Sequence, residues 1–184
     1  MVVSQPLVCA LDIATVTGFA FGTPDDAEPT IGSVKFGSAG ANADAVFCAA
    51  LTWSQRFFRD YKPDLLAIED LLPAEAMRGK TQKHVRDRLA GLHACIRGNA
   101  RAAGIFDVVV VSVGDIRQHF LGIRGGKGAA AKLETMRRCK ALGWPVQSTD
   151  EADACAVWSH QVSRLNPKLA LRVSPLFGPK GVAL

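Results

Sequence analysis

Four carboxylates stand where their placement suggests chemistry. Asp12 closes the apolar run Leu7-Val8-Cys9-Ala10-Leu11, and Glu69 closes Leu65-Leu66-Ala67-Ile68. Asp150 and Asp153 lie in Thr149-Asp150-Glu151-Ala152-Asp153-Ala154-Cys155, which reads as the opening of a helix. Acids three apart on a helix share a face. Carboxylates that converge repel one another and stay ionised only when cations neutralise them. Oxygen donors with no histidine or thiolate nearby favour Mg²⁺, with Mn²⁺ as a substitute. Two such ions about 3.5–4 Å apart can activate a water and stabilise the leaving oxygen in phosphodiester cleavage.

Local readings compete with this one. Ser148 and Glu151 have the spacing of a capping box, and acids in a first turn complement the helix dipole. Asp12 could serve a turn. Glu69 is harder to explain locally, because a carboxylate at the end of a buried strand is costly without a partner. Taken alone, Asp150 and Glu151 read more readily as caps than as metal ligands.

The net charge of +5 is concentrated. Residues 78–101 carry Arg78, Lys80, Lys83, Arg86, Arg88, Arg97 and Arg101 against the single acid Asp87. Residues 117–140 carry Arg117, Arg124, Lys127, Lys132, Arg137, Arg138 and Lys140 against Glu134. Basic segments beside acidic clusters suit a chain that attracts phosphates and acts on them. Arg78, Lys80, Lys83, Arg86, Arg117, Arg124, Lys127 and Lys132 are the candidate DNA contacts; the bland alternative is two solvated helix faces.

Other motifs carry less. Gly122 to Gly128 is basic and glycine-rich but does not fit a P-loop. The five cysteines include no C-x-x-C pair, which argues against zinc and for buried, reduced thiols. His84, His93, His119 and His160 lack metal-like spacing, and Trp53, Phe57 and Phe58 fall on a helical stripe expected in the core.

The acids need a frame to bring them together. Leu7–Ile13 reads as a buried strand, Thr15–Gly18 as a turn, and Phe19–Gly22 and Ile31–Phe36 as further strands, giving an antiparallel meander. Val46, Ala50, Trp53, Phe57 and Tyr61 recur at helical spacing and stop before Pro63. Asp64–Glu69 is too short and uniformly apolar for a helix and reads as a strand buried on both faces. A helix is expected over Thr81–Ala103, with the stripe Val85, Leu89, Leu92 and Ile96. A strand over Asp107–Val111 follows, then helices over Val113–Phe120, Ala129–Leu142 and Asp150–Leu165. The result is an α/β chain with a mixed five-stranded sheet, three antiparallel strands plus two parallel ones, flanked by helices. Residues 1–165 form one expected domain and 166–184 a poorly ordered tail. In this topology the first and fourth strands are neighbours, so Asp12 and Glu69 can meet. No membrane span or signal peptide is legible, and a cytoplasmic location is expected.

At these residues the chain resembles the RuvC family of Holliday-junction resolvases, within the ribonuclease H-like superfamily. The resemblance is carried by Leu11-Asp12-Ile13-Ala14 with Thr17-Gly18, by Pro63-Asp64-Leu65-Leu66-Ala67-Ile68-Glu69, and by Asp150-Glu151-Ala152-Asp153-Ala154, in family order over about residues 7–163. It implies that Asp12, Glu69, Asp150 and Asp153 are the catalytic, metal-binding acids. It implies Mg²⁺-dependent nicking of four-way DNA junctions by a homodimer, with the helix over 81–103 near the dimer interface and the DNA. Arg117 and Lys132 match the family's basic residues beside the scissile phosphate. Leu71 and Leu72 stand where many bacterial members carry an aromatic that helps open the junction. The stretch from Arg117 to Lys132 is longer and more basic than usual, similar to phage- or prophage-encoded members that also act on other branched DNA.

The expected activity is therefore that of a divalent-metal endonuclease on branched DNA, with Lys132 stabilising charge at the phosphate. One rival is a branched-DNA-binding protein of the same fold that cuts poorly. Another is a fragment of an actin-like ATPase, whose first phosphate loop Asp12 to Gly18 also resembles.

Overall fold

A computed structural model describes residues 5–38, 40–71, 83–124 and 128–168 of the chain. The strands are β1 (Val8–Asp12), β2 (Val16–Gly22), β3 (Thr30–Lys35), β4 (Leu65–Glu69) and β5 (Asp107–Val111). The helices are α1 (Ala43–Tyr61), α2 (Lys83–Ala102), α3 (Val113–Leu121), α4 (Gly128–Ala141) and α5 (Thr149–Leu165). The sheet order is β3-β2-β1-β4-β5; β1, β2 and β3 pair antiparallel, whereas β4 runs parallel to both β1 and β5. This is the mixed five-stranded sheet expected from the sequence.

Helices cover both faces. On one, Cys9, Leu11, Leu66 and Ile68 meet α1 and α2 through Val46, Phe57, Phe58, Leu92 and Ile96. On the other, Val8, Ala10, Leu65 and Ala67 meet α3, α4 and α5 through Ile116, Phe120, Cys139 and Trp158. The alternation of side chains along β1 and β4 separates the two sets. It also decides where the acids point. Asp12 and Glu69 are in step with Ala10 and Ala67, on the face that α5 covers.

α5 fits closely because the first half of its buried side holds the small residues Ala152, Ala154, Cys155 and Ala156, and it packs across β1 and β2. Its start is fixed by Ser148, whose Oγ accepts from the Glu151 N–H at 3.2 Å. α1 is capped in the same way by Asn42 and ends at Lys62, in left-handed conformation (φ 46°) before Pro63. α3 begins at the N-cap Ser112 and ends at Gly122 (φ 76°).

The structure corrects three expectations. The turn expected at Thr15–Gly18 closes earlier: the Thr17 hydroxyl donates to the Ala14 carbonyl (2.8 Å) and accepts from the Ala14 N–H (3.2 Å). β2 then begins at Val16, and Gly18 is a strand residue paired with Asp12. The stripe expected on α2 is buried only in its second half, at Leu92, Ile96 and Ala100, while Val85 is 40% exposed. A helix as long as α2 covers about 30 Å and a strand as short as β4 about 17 Å. The first turns therefore overhang the strand ends that carry the acids. The expectation of buried thiols holds for Cys9, Cys139 and Cys155 but not for Cys48, which is exposed on α1. Trp53, Phe57 and Phe58 join the aromatic packing on the α1 face, as expected. Most of the expected tail, from 169 on, lies outside the described residues. No helix among the described residues is long and apolar enough to cross a membrane.

Candidate active site

The pairing of Leu11 with Ile68 sets β1 and β4 in register, and one residue further Asp12 and Glu69 stand side by side at the strand ends. Glu69 is also paired with Val111 of β5. From above, α5 brings Asp150 and Asp153. From α4 comes Lys132, next to the buried Ala131. Its Nζ lies 2.6 Å from Asp153 Oδ2, 3.6 Å from Asp12 Oδ2 and 3.6 Å from Asp150 Oδ1. Three acids from two elements thus surround one ammonium, and all three are largely shielded: the Asp12, Asp153 and Asp150 side chains are 13%, 14% and 29% exposed.

The electrostatics follow from this crowding. Burial, opposed by Lys132 and reinforced by Asp153 and Asp150, pushes the Asp12 carboxyl up to about 6. Burial, with the charges of Asp12 and Asp153, pushes Glu69 up to about 8, although Lys132 and Arg117 pull the other way. Asp153 is raised by burial, despite Lys132. Burial disfavours the Lys132 ammonium, but Asp12, Asp153 and Asp150 outweigh it and hold the group above its ordinary range. Among the described residues the acids outnumber the cations that reach them, and such a group takes up protons or positive charge.

This donor set fits a hard divalent cation: carboxylate oxygens only, crowded and partly desolvated, converging on a positive centre. The spacing is that of an ammonium cage. Mg²⁺ draws its ligands to about 2.0–2.1 Å, and among the described residues no three acidic, histidine or cysteine groups are gathered that closely for a metal.

The backbone beneath is shaped for the acids. A Cβ on Gly18 would sit 1.9 Å from the Asp150 carbonyl oxygen and 2.4 Å from its carbon. Only a glycine lets the first turn of α5 approach β2 this far. Gly18 stands among the motif residues, but this contact is not legible in sequence, because the surface it meets lies far along the chain.

Among the candidate DNA contacts, Lys132 touches the acids and Arg117 on α3 acts electrostatically on Glu69 and Asp153. Arg124 lies 3.5 Å from Asp115, and Lys83 pairs with Asp87 at 3.0 Å. Lys83 and Arg86 are exposed on the overhanging start of α2. Arg78, Lys80 and Lys127 lie outside the described residues. A cavity of about 620 Å³ opens elsewhere, between β5 and the C-terminal half of α5, and is lined by none of the acids.

No protein-family model and no curated protein sequence matches the chain. Solved structures do match its fold. T. thermophilus RuvC in complex with a Holliday junction substrate superposes with a TM-score of 0.66 at 16% identity, over 88% of this chain and 97% of that one. A Thermus thermophilus RuvC structure gives 0.61 at 14% identity, over 86% and 96%. The yeast mitochondrial Holliday junction resolvase Ydc2 gives 0.50 at 10% identity, over 88% and 79%. The expected ribonuclease H-like architecture is therefore the one observed.

Proposed function

We propose that the chain is a divalent-metal-dependent, structure-selective endonuclease that nicks Holliday junctions or other branched DNA. The observation that carries this reading is the convergence of Asp12, Asp150 and Asp153 on one ammonium beside Glu69. A purely structural cluster would have balanced its charges. In this reading Asp12, Glu69, Asp150 and Asp153 hold two Mg²⁺ ions, or Mn²⁺ in their place. Bound there, the ions would activate water and stabilise the departing oxygen of a phosphodiester.

The chain's own residues do the rest. Lys132 carries positive charge among the acids, beside which a backbone phosphate has to come, and Arg117 adds a second cation from α3. The acids stand at the ends of the inner strands β1 and β4, beside the first turn of α5. The overhanging start of α2 adds Lys83 and Arg86 to one side. The remaining basic candidates, Arg78, Lys80, Arg124 and Lys127, extend the same attraction for a phosphate backbone. A homodimer through the helix at 81–103 belongs to this reading. Its support is the outward side of α2, where Ala94 and Gly98 are exposed and a Cβ on Gly98 would meet nothing. The working form is then a cytoplasmic dimer with one site per strand cut.

The test is a parallel cleavage assay in Mg²⁺ on a synthetic four-way junction, a flap, a fork and a linear duplex. The expected result is nicking of branched substrates only, lost in Asp12→Asn while binding is retained. Binding without cutting in either Mg²⁺ or Mn²⁺ would instead identify a branched-DNA-binding protein of the same fold.

A further inference from the structure

Glu151 lies in the same helical turn as Asp150 and Asp153 but takes no part in their cluster. It is 7% exposed. Its Oε1 accepts from the Ser33 hydroxyl at 2.9 Å, across 118 positions of sequence. Its Oε2 accepts from the Gln147 backbone N–H at 2.6 Å. A capping glutamate needs one oxygen, turned back to the start of its own helix. This one uses a second oxygen to grip β3.

The position of Ser33 gives that grip its meaning. Ser33 pairs with Gly18 of β2, and Gly18 pairs with Asp12 of β1. Asp12, Gly18 and Ser33 therefore form one row across three strands. Glu151 ties the start of α5 to the far end of this row, and Gly18 meets the Asp150 backbone in its middle. The row sets the separation between Asp12 and the two acids of α5.

We infer that Glu151, through Ser33, is a positioning residue that registers Asp150 and Asp153 against Asp12 for metal binding. The inference rests on the proposed nuclease reading and deepens it. Burying a carboxylate among neutral donors is an expensive way to cap a helix, and a fixed register is what such an arrangement provides. Groups that orient ligands without touching the metal typically govern affinity and rate together.

The test compares Glu151→Gln and Ser33→Ala with the wild-type chain. Gln keeps the size but has one acceptor oxygen for two donors; Ala at 33 removes only the β3 partner. Mn²⁺ binding is measured by calorimetry, and cleavage of a four-way junction by steady-state kinetics. Both variants are expected to bind Mn²⁺ about 10- to 100-fold more weakly, with kcat falling in proportion. The KM for junction should stay unchanged, and excess Mn²⁺ should recover part of the rate. A lowered melting temperature with wild-type Mn²⁺ affinity and kcat overturns the inference and leaves Glu151 a stabilising cap. If Glu151→Gln does not fold, Ser33→Ala decides by the same criteria. A wild-type chain that neither binds Mn²⁺ nor cuts any branched substrate overturns the nuclease reading itself, and this inference with it.

Discussion

Asp150 and Glu151 are adjacent in the chain and meet opposite surroundings. Glu151 turns toward β3 and the preceding loop, where each of its oxygens accepts one hydrogen bond from a neutral donor. Asp150 turns the other way, toward Asp153 and Asp12, and shares the Lys132 ammonium with both of them. Both sides of the turn hold partly or fully buried carboxylates, so burial alone does not separate structure from function. The difference lies in how completely each side is satisfied. An acid whose oxygens are filled by neutral donors is part of the architecture. Acids that outnumber their cations keep an appetite for charge, and that is the property a metal site needs.

The comparison is broken most directly by neutralising one acid of the crowded side. Asp153→Asn should lower junction cleavage on the order of a thousandfold, since metal-borne stabilisation of a phosphodiester transition state is worth several kcal/mol. The same change should leave the metal-free melting temperature unchanged or raise it, because it relieves repulsion among buried carboxylates. Parallel cleavage and thermal denaturation measurements check this. A large loss of stability would mean that the Lys132–Asp153 contact is structural, and the two sides of the turn would then be alike.

Gly18→Ala tests the ground beneath both sides at once. The new methyl group would overlap the Asp150 carbonyl, which is backbone and cannot rotate away. The expected cost is about 3 kcal/mol of stability by urea denaturation, at the upper end of overpacking effects. Cleavage should fall as well, because α5 has to lift off β2.

How much of this was legible in sequence depends on how far apart the partners lie. Asp12 and Glu69 were legible because each ends an apolar run, and period-two alternation with a parallel β1–β4 pair then puts them side by side. The start of α5 was legible because Ser148 is a local cap. The true start of β2 was not, because the Thr17 hydroxyl closes the turn and frees Gly18, whose composition alone suggested a bend. The Ser33–Glu151 and Gly18–Asp150 contacts join segments more than a hundred positions apart, and no local pattern announces such partners. Lys132 was reached through the family resemblance. Periodicity places it on α4 beside Ala131 and says nothing about the three acids it meets.

The pH dependence of stability probes the comparison with no substitution at all. Burial and mutual repulsion hold Asp12 at about 6 and Glu69 at about 8, against an ordinary carboxylate value near 4 in the unfolded chain. Between those values the folded chain binds more protons than the unfolded one. The contribution is therefore fully present below about pH 4 and is lost as pH rises through 6 and then 8. Metal-free protein should therefore lose unfolding free energy steadily between about pH 5 and about pH 8.5. Mg²⁺ should flatten that slope, because it compensates the same charges that protons do. Asp12→Asn should flatten it in part without any metal, by removing one of the two titrating groups and easing the other. Denaturant melts across this range, with and without Mg²⁺, give the answer. An equal slope in both conditions would mean that the ion does not reach these acids. A slope that steepens in Ser33→Ala would show that the quiet side of the turn also sets how tightly the crowded side is packed.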